Sequence, residues 1–151
     1  MAGKEMAQRP TFKRALRRAF MRAHIALYRA SGGLLGSRIP TRSFLLLTTI
    51  GRKSGQERVI PIFYIPGGED FILIGSNWGE PTPPLWWLNL QAHPQAKVRA
   101  GRKEFTVVAR LASPEERAKL WPAITARYRE FERYQRHVAR EIPLVILSPV
   151  E

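Results

Sequence analysis

Two apolar, β-branched runs separated by a short basic link constrain this chain more than any other feature. Phe44 to Ile50 reads FLLLTTI, Gly51-Arg52-Lys53-Ser54-Gly55 begins the link, and Val59 to Ile65 reads VIPIFYI. Runs of this kind bounded by glycine are strands, and so short a connection forces them antiparallel. The texture then repeats. Pro66-Gly67-Gly68-Glu69-Asp70 turns into Phe71 to Gly75, Ala96 to Ala100 and Glu104 to Ala112 flank Gly101-Arg102-Lys103, and Ile142 to Leu147 forms a last short strand. About six strands joined mainly by hairpins predict a closed or nearly closed antiparallel barrel with flanking helices, an α+β chain that is mainly β.

Helical periodicity is confined to the flanks. From Phe12 to Ala30, residues Phe12, Leu16, Ala19, Phe20, Ala23 and Leu27 share one stripe. Lys13, Arg14, Arg17, Arg18 and Arg22 fall on the other side, and Ser31-Gly32-Gly33 ends the helix. The expectation is a helix docked by its apolar stripe with a solvated basic face; the same pattern also suits an anionic lipid surface. Pro84 opens a short helix, Leu85 to Ala92, stopped by His93-Pro94. Ser113-Pro114-Glu115-Glu116 is a capping box for a helix that runs past Pro122 toward Arg127, and Glu130 to Arg140 is a second helical stretch. The division expected is a disordered tail at 1–11, a basic amphipathic helix and linker at 12–42, and a barrel at 43–149.

Charge narrows the partners. The net charge is +13, and residues 1–43 hold ten Lys or Arg against one Glu. Such an excess calls for a polyanion: nucleic acid, an anionic membrane or a phosphorylated cofactor. Concentration on one terminal helix, rather than interleaving with aromatics, argues against nucleic acid. The absence of Cys removes disulfides and a thiol nucleophile, and it fits a reducing compartment. With no spanning run and no signal peptide, a cytoplasmic protein is expected, associated at most with a membrane surface. His24, His93 and His137 share no metal-ligand spacing, so no metal is expected. Nucleophile elbow, paired carboxylates and dinucleotide glycines are absent too, which points to a cofactor that carries the chemistry.

Three clusters could hold one. The Gly51–Gly55 turn can gather amides, two cations and a hydroxyl around a phosphate, although such turns are also simply solvated. Trp86 and Trp87 point to different sides of their helix, one inward and one toward a cleft or partner. Tyr128, Phe131 and Tyr134 lie three apart, as a docking stripe or a pocket wall.

In this order, the segments LLTTIGRKSG at 46–55, Arg58 with Pro61, Ser76, PLWWLNL at 84–90 with His93-Pro94, Tyr128 to Gln135, and IPLV at 142–145 resemble the deazaflavin-dependent nitroreductases, also described as F420H2-dependent quinone reductases. The resemblance covers roughly residues 20 to 149. It implies a split β-barrel of the FMN-binding type holding coenzyme F420, with FMN as the alternative. It also implies a quinone, nitroaromatic or similarly electron-poor acceptor, and a monomer or homodimer. By similarity, Gly51, Arg52, Lys53 and Ser54 hold the phosphate, and Arg58, Val59, Ile60 and Pro61 line the ring. Ser76 and Asn77 touch cofactor or acceptor, while Leu85, Trp86 and Trp87 wall the pocket. Tyr128 and Tyr134 cover the acceptor, and the proton comes from Tyr134, Ser76 or water. A carrier that binds F420 or FMN without turnover is the alternative function. The chain departs from the pattern at Asn77, where some relatives have Lys, at Trp78, where small residues are common, and at Phe131, where relatives active on nitro compounds have Tyr.

Overall fold

The computed structural model describes residues 9–34, 38–39 and 42–150. Most of the expected tail, residues 1–8, lies outside them. In chain order the elements are α1 (Arg9–Ala30), β1 (Arg38–Ile39), β2 (Arg42–Ile50), β3 (Glu57–Gly67), β4 (Asp70–Ile74), α2 (Leu85–Ala92), β5 (Gln95–Ala100), β6 (Lys103–Leu111), α3 (Pro114–Arg127), α4 (Arg129–His137) and β7 (Leu144–Pro149).

The sheet runs β1-β2-β3-β4-β7-β6-β5, and β2 also pairs with β5, so the six longer strands close into an antiparallel barrel. Closure is uneven. β3 pairs with β2 from Glu57 to Tyr64 but with β4 only over Ile65–Gly67. The 57–64 half of β3 therefore has one edge without a strand partner. Pro61 sits in that half, where its missing N–H is tolerated. The barrel is split along this edge, as the resemblance implied.

Period-two alternation explains why β4 and β7 read as unbroken apolar runs. Phe71, Leu73, Val145 and Leu147 point into the barrel with Leu45, Leu47 and Val98. Ile74, Leu144 and Ile146 point the other way, under Ile124, Tyr128, Phe131 and Val138 of the helical pair. Both faces are buried, so both must be apolar.

The helix signals hold in detail. The Ser113 hydroxyl accepts from the Glu116 amide at 3.2 Å, and the Glu116 carboxylate accepts from the Ser113 amide at 3.0 Å. α3 accommodates Pro122 and breaks only at Tyr128, whose φ of −125° and ψ of 81° separate it from α4.

The first helix corrects an expectation. Its apolar stripe does not dock: Phe12 and Phe20 are each 75% exposed, and Leu16 and Leu27 are exposed as well. Tyr28 is the anchor. Its fully buried ring brings the hydroxyl to 2.7 Å from the Gly101 amide, which donates to it, and within 3.3 Å of the Phe44 and Arg99 carbonyls. Gly33 lies so close to Gly101 that a Cβ would stand 2.4 Å from its Cα. At about 100° per residue, Tyr28 sits roughly a third of a turn from the stripe. Burying Tyr28 therefore rotates the stripe away from the barrel.

The capping box yields a test. Removing the Ser113 hydroxyl (Ser113→Ala) is expected to lower the unfolding free energy by about 1 kcal/mol in urea titration. The Glu116 carboxyl is lowered from 4.5 to about 2, first by its bond to Arg110 and next by the Ser113 amide. A depressed carboxyl stabilises the fold above its unfolded value, and that contribution disappears as pH falls from about 4.5 toward 2. In Glu116→Gln, urea midpoints across that window should show a shallower acid decline than wild type.

Candidate active site

A cleft of about 1290 Å³ runs along the open edge of β3. One end is the β2–β3 turn. The Gly51 amide donates to the Gln56 carbonyl at 2.8 Å, and the Gly55 amide to the Gly51 carbonyl at 2.8 Å. Gly55 has φ +68°, which favours glycine, and a Cβ on Gly51 would crowd the Ser54 hydroxyl, 2.5 Å from its Oγ. The Ser54 hydroxyl accepts from the Gln56 amide at 3.2 Å and from the Arg58 guanidinium at 3.3 Å.

Asn89 holds this turn from the side. Its Oδ1 accepts from the Arg52 amide at 3.1 Å, and its Nδ2 donates to the Thr49 hydroxyl at 3.1 Å. Thr49 and Asn89 are both buried, and Trp86 and Leu90 on the same helix are seated in the barrel core. The turn is thereby bonded to a helix that the core itself positions. It also follows that the amides of Gly51, Arg52 and Gly55 are already committed. The expected convergence of amides is thus limited to Lys53 and Ser54, whose N–H groups take no part in these bonds.

Val59, Ile60 and Pro61 form the middle of the cleft along β3, and Leu85 and Trp86 of α2 also line it. The far end is aromatic. Phe63 stacks on Phe131 with centroids 6.1 Å apart and planes 8° from parallel, and Phe131 meets Tyr134 edge-on at 6.1 Å. Arg42 lies 5.2 Å from the centroids of both Phe63 and Tyr128 and is ion-paired with Glu130. Arg17, Arg18, Met21 and Arg22 of α1 border this end, so part of the basic face fronts the cleft.

Ser76, Asn77 and Trp78, in the loop after β4, form a further stretch of the rim. Asn77 and Trp78 have φ of 46° and 58°, and Gly79 follows at 77°. An L-residue in this region costs about 1–2 kcal/mol, so the loop needs support. Arg140 provides much of it. Its guanidinium donates to the carbonyls of Gly75 at 3.0 Å, Ser76 at 2.9 Å and Glu80 at 3.2 Å, gripping both ends of the loop. Burial lowers its pKa from the usual arginine value. Asn77 Nδ2 adds a bond to the Thr82 carbonyl at 2.9 Å. On the inner side, a Cβ at Gly79 would stand 2.9 Å from the Tyr134 ring.

Most of the expected site residues line one cleft: Gly51, Arg52, Lys53, Ser54, Arg58, Val59, Ile60, Pro61, Ser76, Asn77, Leu85, Trp86 and Tyr134. Two do not. Trp87 packs against the barrel core instead, and Tyr128 is buried at the α3–α4 break, edge-on to Phe63 at 5.0 Å. The three-residue spacing puts Tyr128 before α4 rather than on its face, so Phe63 and Phe131 stand between it and the cleft. Among the residues without an assigned role, Asn89 carried a legible signal. A lone amide in the helix LWWLNLQA must find partners. Arg140 carried none, because its partners are backbone carbonyls 60 to 65 residues away.

A model of the F420H(2)-dependent quinone reductase family matches residues 20–149. The chain belongs to this family. It is 34% identical over 132 residues to an F420H(2)-dependent quinone reductase of Mycobacterium tuberculosis H37Rv, covering 85% of this chain and 89% of that one. Among solved structures, an F420-H2 dependent reductase (FDR-A) aligns with TM-score 0.63 at 31% identity, over 70% of this chain and 93% of its own. A structure described as a domain-swapped dimer aligns with TM-score 0.66 at 28% identity, over 87% and 99%. The split barrel of the FMN-binding type is thus shared with F420-dependent reductases.

The Asn89 clamp makes a structural prediction. Asn89→Ala strands the Arg52 amide and the Thr49 hydroxyl, and should cost about 1–3 kcal/mol in chemical denaturation. The Arg52 amide should lose hydrogen-exchange protection before the β2–β3 ladder does.

Proposed function

We propose that this family member binds reduced coenzyme F420 in the cleft along β3 and passes a hydride to a quinone held at the aromatic end. One observation carries the reading: a clamped turn bearing two cations and a hydroxyl opens into the same cleft as an apolar floor and an aromatic wall. The residues fit such a cofactor. Lys53, Arg52 and Arg58 supply charge to a phosphate, and the Lys53 and Ser54 amides are uncommitted donors for its oxygens. Val59, Ile60, Pro61 and Trp86 offer flat apolar surface to a ring. When bound, the reduced deazaflavin supplies a two-electron hydride.

The protein's part is placement. The Asn89-held turn sets how far the ring lies along the groove, and Phe131 and Tyr134 bound the space left for the acceptor. A groove open along one edge lets two flat molecules lie face to face, and orientation of that kind accounts for most of the rate. Tyr134, Ser76 or water delivers the proton that the reduced acceptor needs. Nitroaromatics fit the same space, although Phe131 offers them no hydroxyl.

A second reading concerns α1. Its exposed stripe, Phe12, Leu16 and Phe20, is flanked by Lys13, Arg14 and Arg17, all exposed. No described helix is long and apolar enough to cross a membrane. Apolar side chains beside cations instead suit the surface of an anionic bilayer, where lipid-soluble quinones reside. The competing occupant is a second copy, in keeping with the domain-swapped relative. Co-sedimentation with phosphatidylglycerol vesicles, lost in Phe12→Ser/Phe20→Ser, supports lipid. A dimer by light scattering that those changes dissolve supports exchange between copies.

Mixing the protein with reduced F420 and menadione should restore the visible absorbance of the oxidised deazaflavin. Lys53→Ala should raise the F420 dissociation constant about tenfold to a hundredfold, the worth of one charge-assisted contact. Its melting temperature should move by less than about 2 °C, as expected of a surface change. No saturable change in tryptophan emission on adding F420 to wild type sinks the reading.

A further inference from the structure

Trp78 is the residue that the fold treats most oddly. Its indole is 82% exposed, yet its backbone sits at φ 58° between Asn77 at 46° and Gly79 at 77°. A solvent-facing side chain gains nothing from such a backbone, and an L-residue pays free energy to adopt it. Trp is also a costly residue to leave in water. The surroundings nevertheless hold it there. Arg140 grips the loop at Gly75, Ser76 and Glu80. The Gly79 amide donates to the Ser76 carbonyl at 2.9 Å, and the close approach of Gly79 to the Tyr134 ring sets the depth of the loop. Trp78 is thereby fixed at the exposed mouth of the cleft, which Leu85, itself 71% exposed, also lines.

We infer that Trp78 is an acceptor-binding residue: its indole is the platform on which a flat, fused-ring quinone stacks at the mouth of the cleft. The inference rests on the reductase reading above and names what selects its substrate. An exposed indole on a supported backbone presents a large flat surface that loses little freedom on binding. The neighbouring elements divide the labour. The β2–β3 turn lies at one end of the groove, and the loop that carries Trp78 adjoins Tyr134 at the other, where the space for the acceptor is. Arg140 acts as a positioning residue for this rim. The preference expected is for two-ring over one-ring quinones, because a single ring covers less of the indole.

Steady-state turnover of menadione and of benzoquinone with Trp78→Ala and Trp78→Phe tests this, alongside F420 titrations. Because the indole is exposed, neither change threatens folding. In Trp78→Ala, the KM for menadione should rise roughly threefold to tenfold, the worth of one aromatic pair. The kcat should stay within about twofold, the KM for benzoquinone should move less, and the F420 dissociation constant should hold. Trp78→Phe should recover most of the menadione KM. An unchanged KM in Trp78→Ala, with wild type turning over, overturns the stacking role alone. Weakened F420 binding in that variant also overturns it, since the indole then serves the cofactor. Failure of wild type to reduce menadione at all removes the reductase reading, and this inference with it.

Discussion

Strand β2 is hydrogen-bonded along both edges, to β3 and to β5, and the geometry of the cleft follows from that. Leu45 and Leu47 are completely buried between those partners, so the strand can neither slide nor tilt without opening the core. Its last residues deliver Thr49 beneath Asn89 and then the Gly51–Gly55 turn. A loop at the end of so constrained a strand has a fixed origin. The Asn89 clamp, on a helix rooted in the core through Trp86 and Leu90, fixes its direction as well. By contrast, β3 is held on one side only over Glu57–Tyr64, and that free edge is the groove. Closure on one edge and omission on the next thus come from the same sheet.

How much of this could be read from the chain differs sharply between its parts. Local chemistry was legible: Ser113 and Glu116 found each other, His93 stopped α2, and Gly51 and Gly55 turned the first hairpin. The resemblance carried the split barrel and brought most cofactor-side residues to one cleft. Three-dimensional rotation was not legible. The spacing of Tyr128, Phe131 and Tyr134 implied one helical face, but the chain breaks at Tyr128, and its ring is enclosed while Tyr134 borders the cleft. Trp86 and Trp87 differ for a similar reason. Sequence showed that they point apart, and only the packing of α2 decides which reaches the groove.

The first helix shows the same limit more strongly. Periodicity alone assigns the apolar stripe to the core, because burial of Phe12, Leu16 and Phe20 is favourable by about 25 cal/mol per Å². What decides the orientation is one tyrosine. The Tyr28 hydroxyl meets backbone groups of β2, β5 and the β5–β6 turn, and with the close Gly33–Gly101 contact this fixes which side of the helix faces the barrel. Burial raises the Tyr28 pKa, so the phenol stays neutral and able to donate. An apolar stripe left outside by a stronger constraint is a surface available to a partner, and the same rotation brings Arg17, Arg18 and Arg22 to the cleft.

The two ends of the groove are stabilised in opposite ways, and this bears on how such a protein could change substrate. At the turn, Gly55 takes the one left-handed dihedral, and polar atoms satisfy one another within a few residues. Little strain is stored, and in the proposed arrangement the cofactor meets a site that exists before binding. At the rim, Asn77 and Trp78 take left-handed dihedrals without being glycine, and the compensation comes from Arg140, far away in sequence. Strain that is balanced from a distance can be retuned from a distance. If Trp78 holds the acceptor as inferred, replacing it alters what the mouth accepts without touching the turn, and altering the Arg140 grip alters how firmly it is presented. A split barrel with one rigid and one tensioned end can therefore keep its cofactor while its acceptor varies.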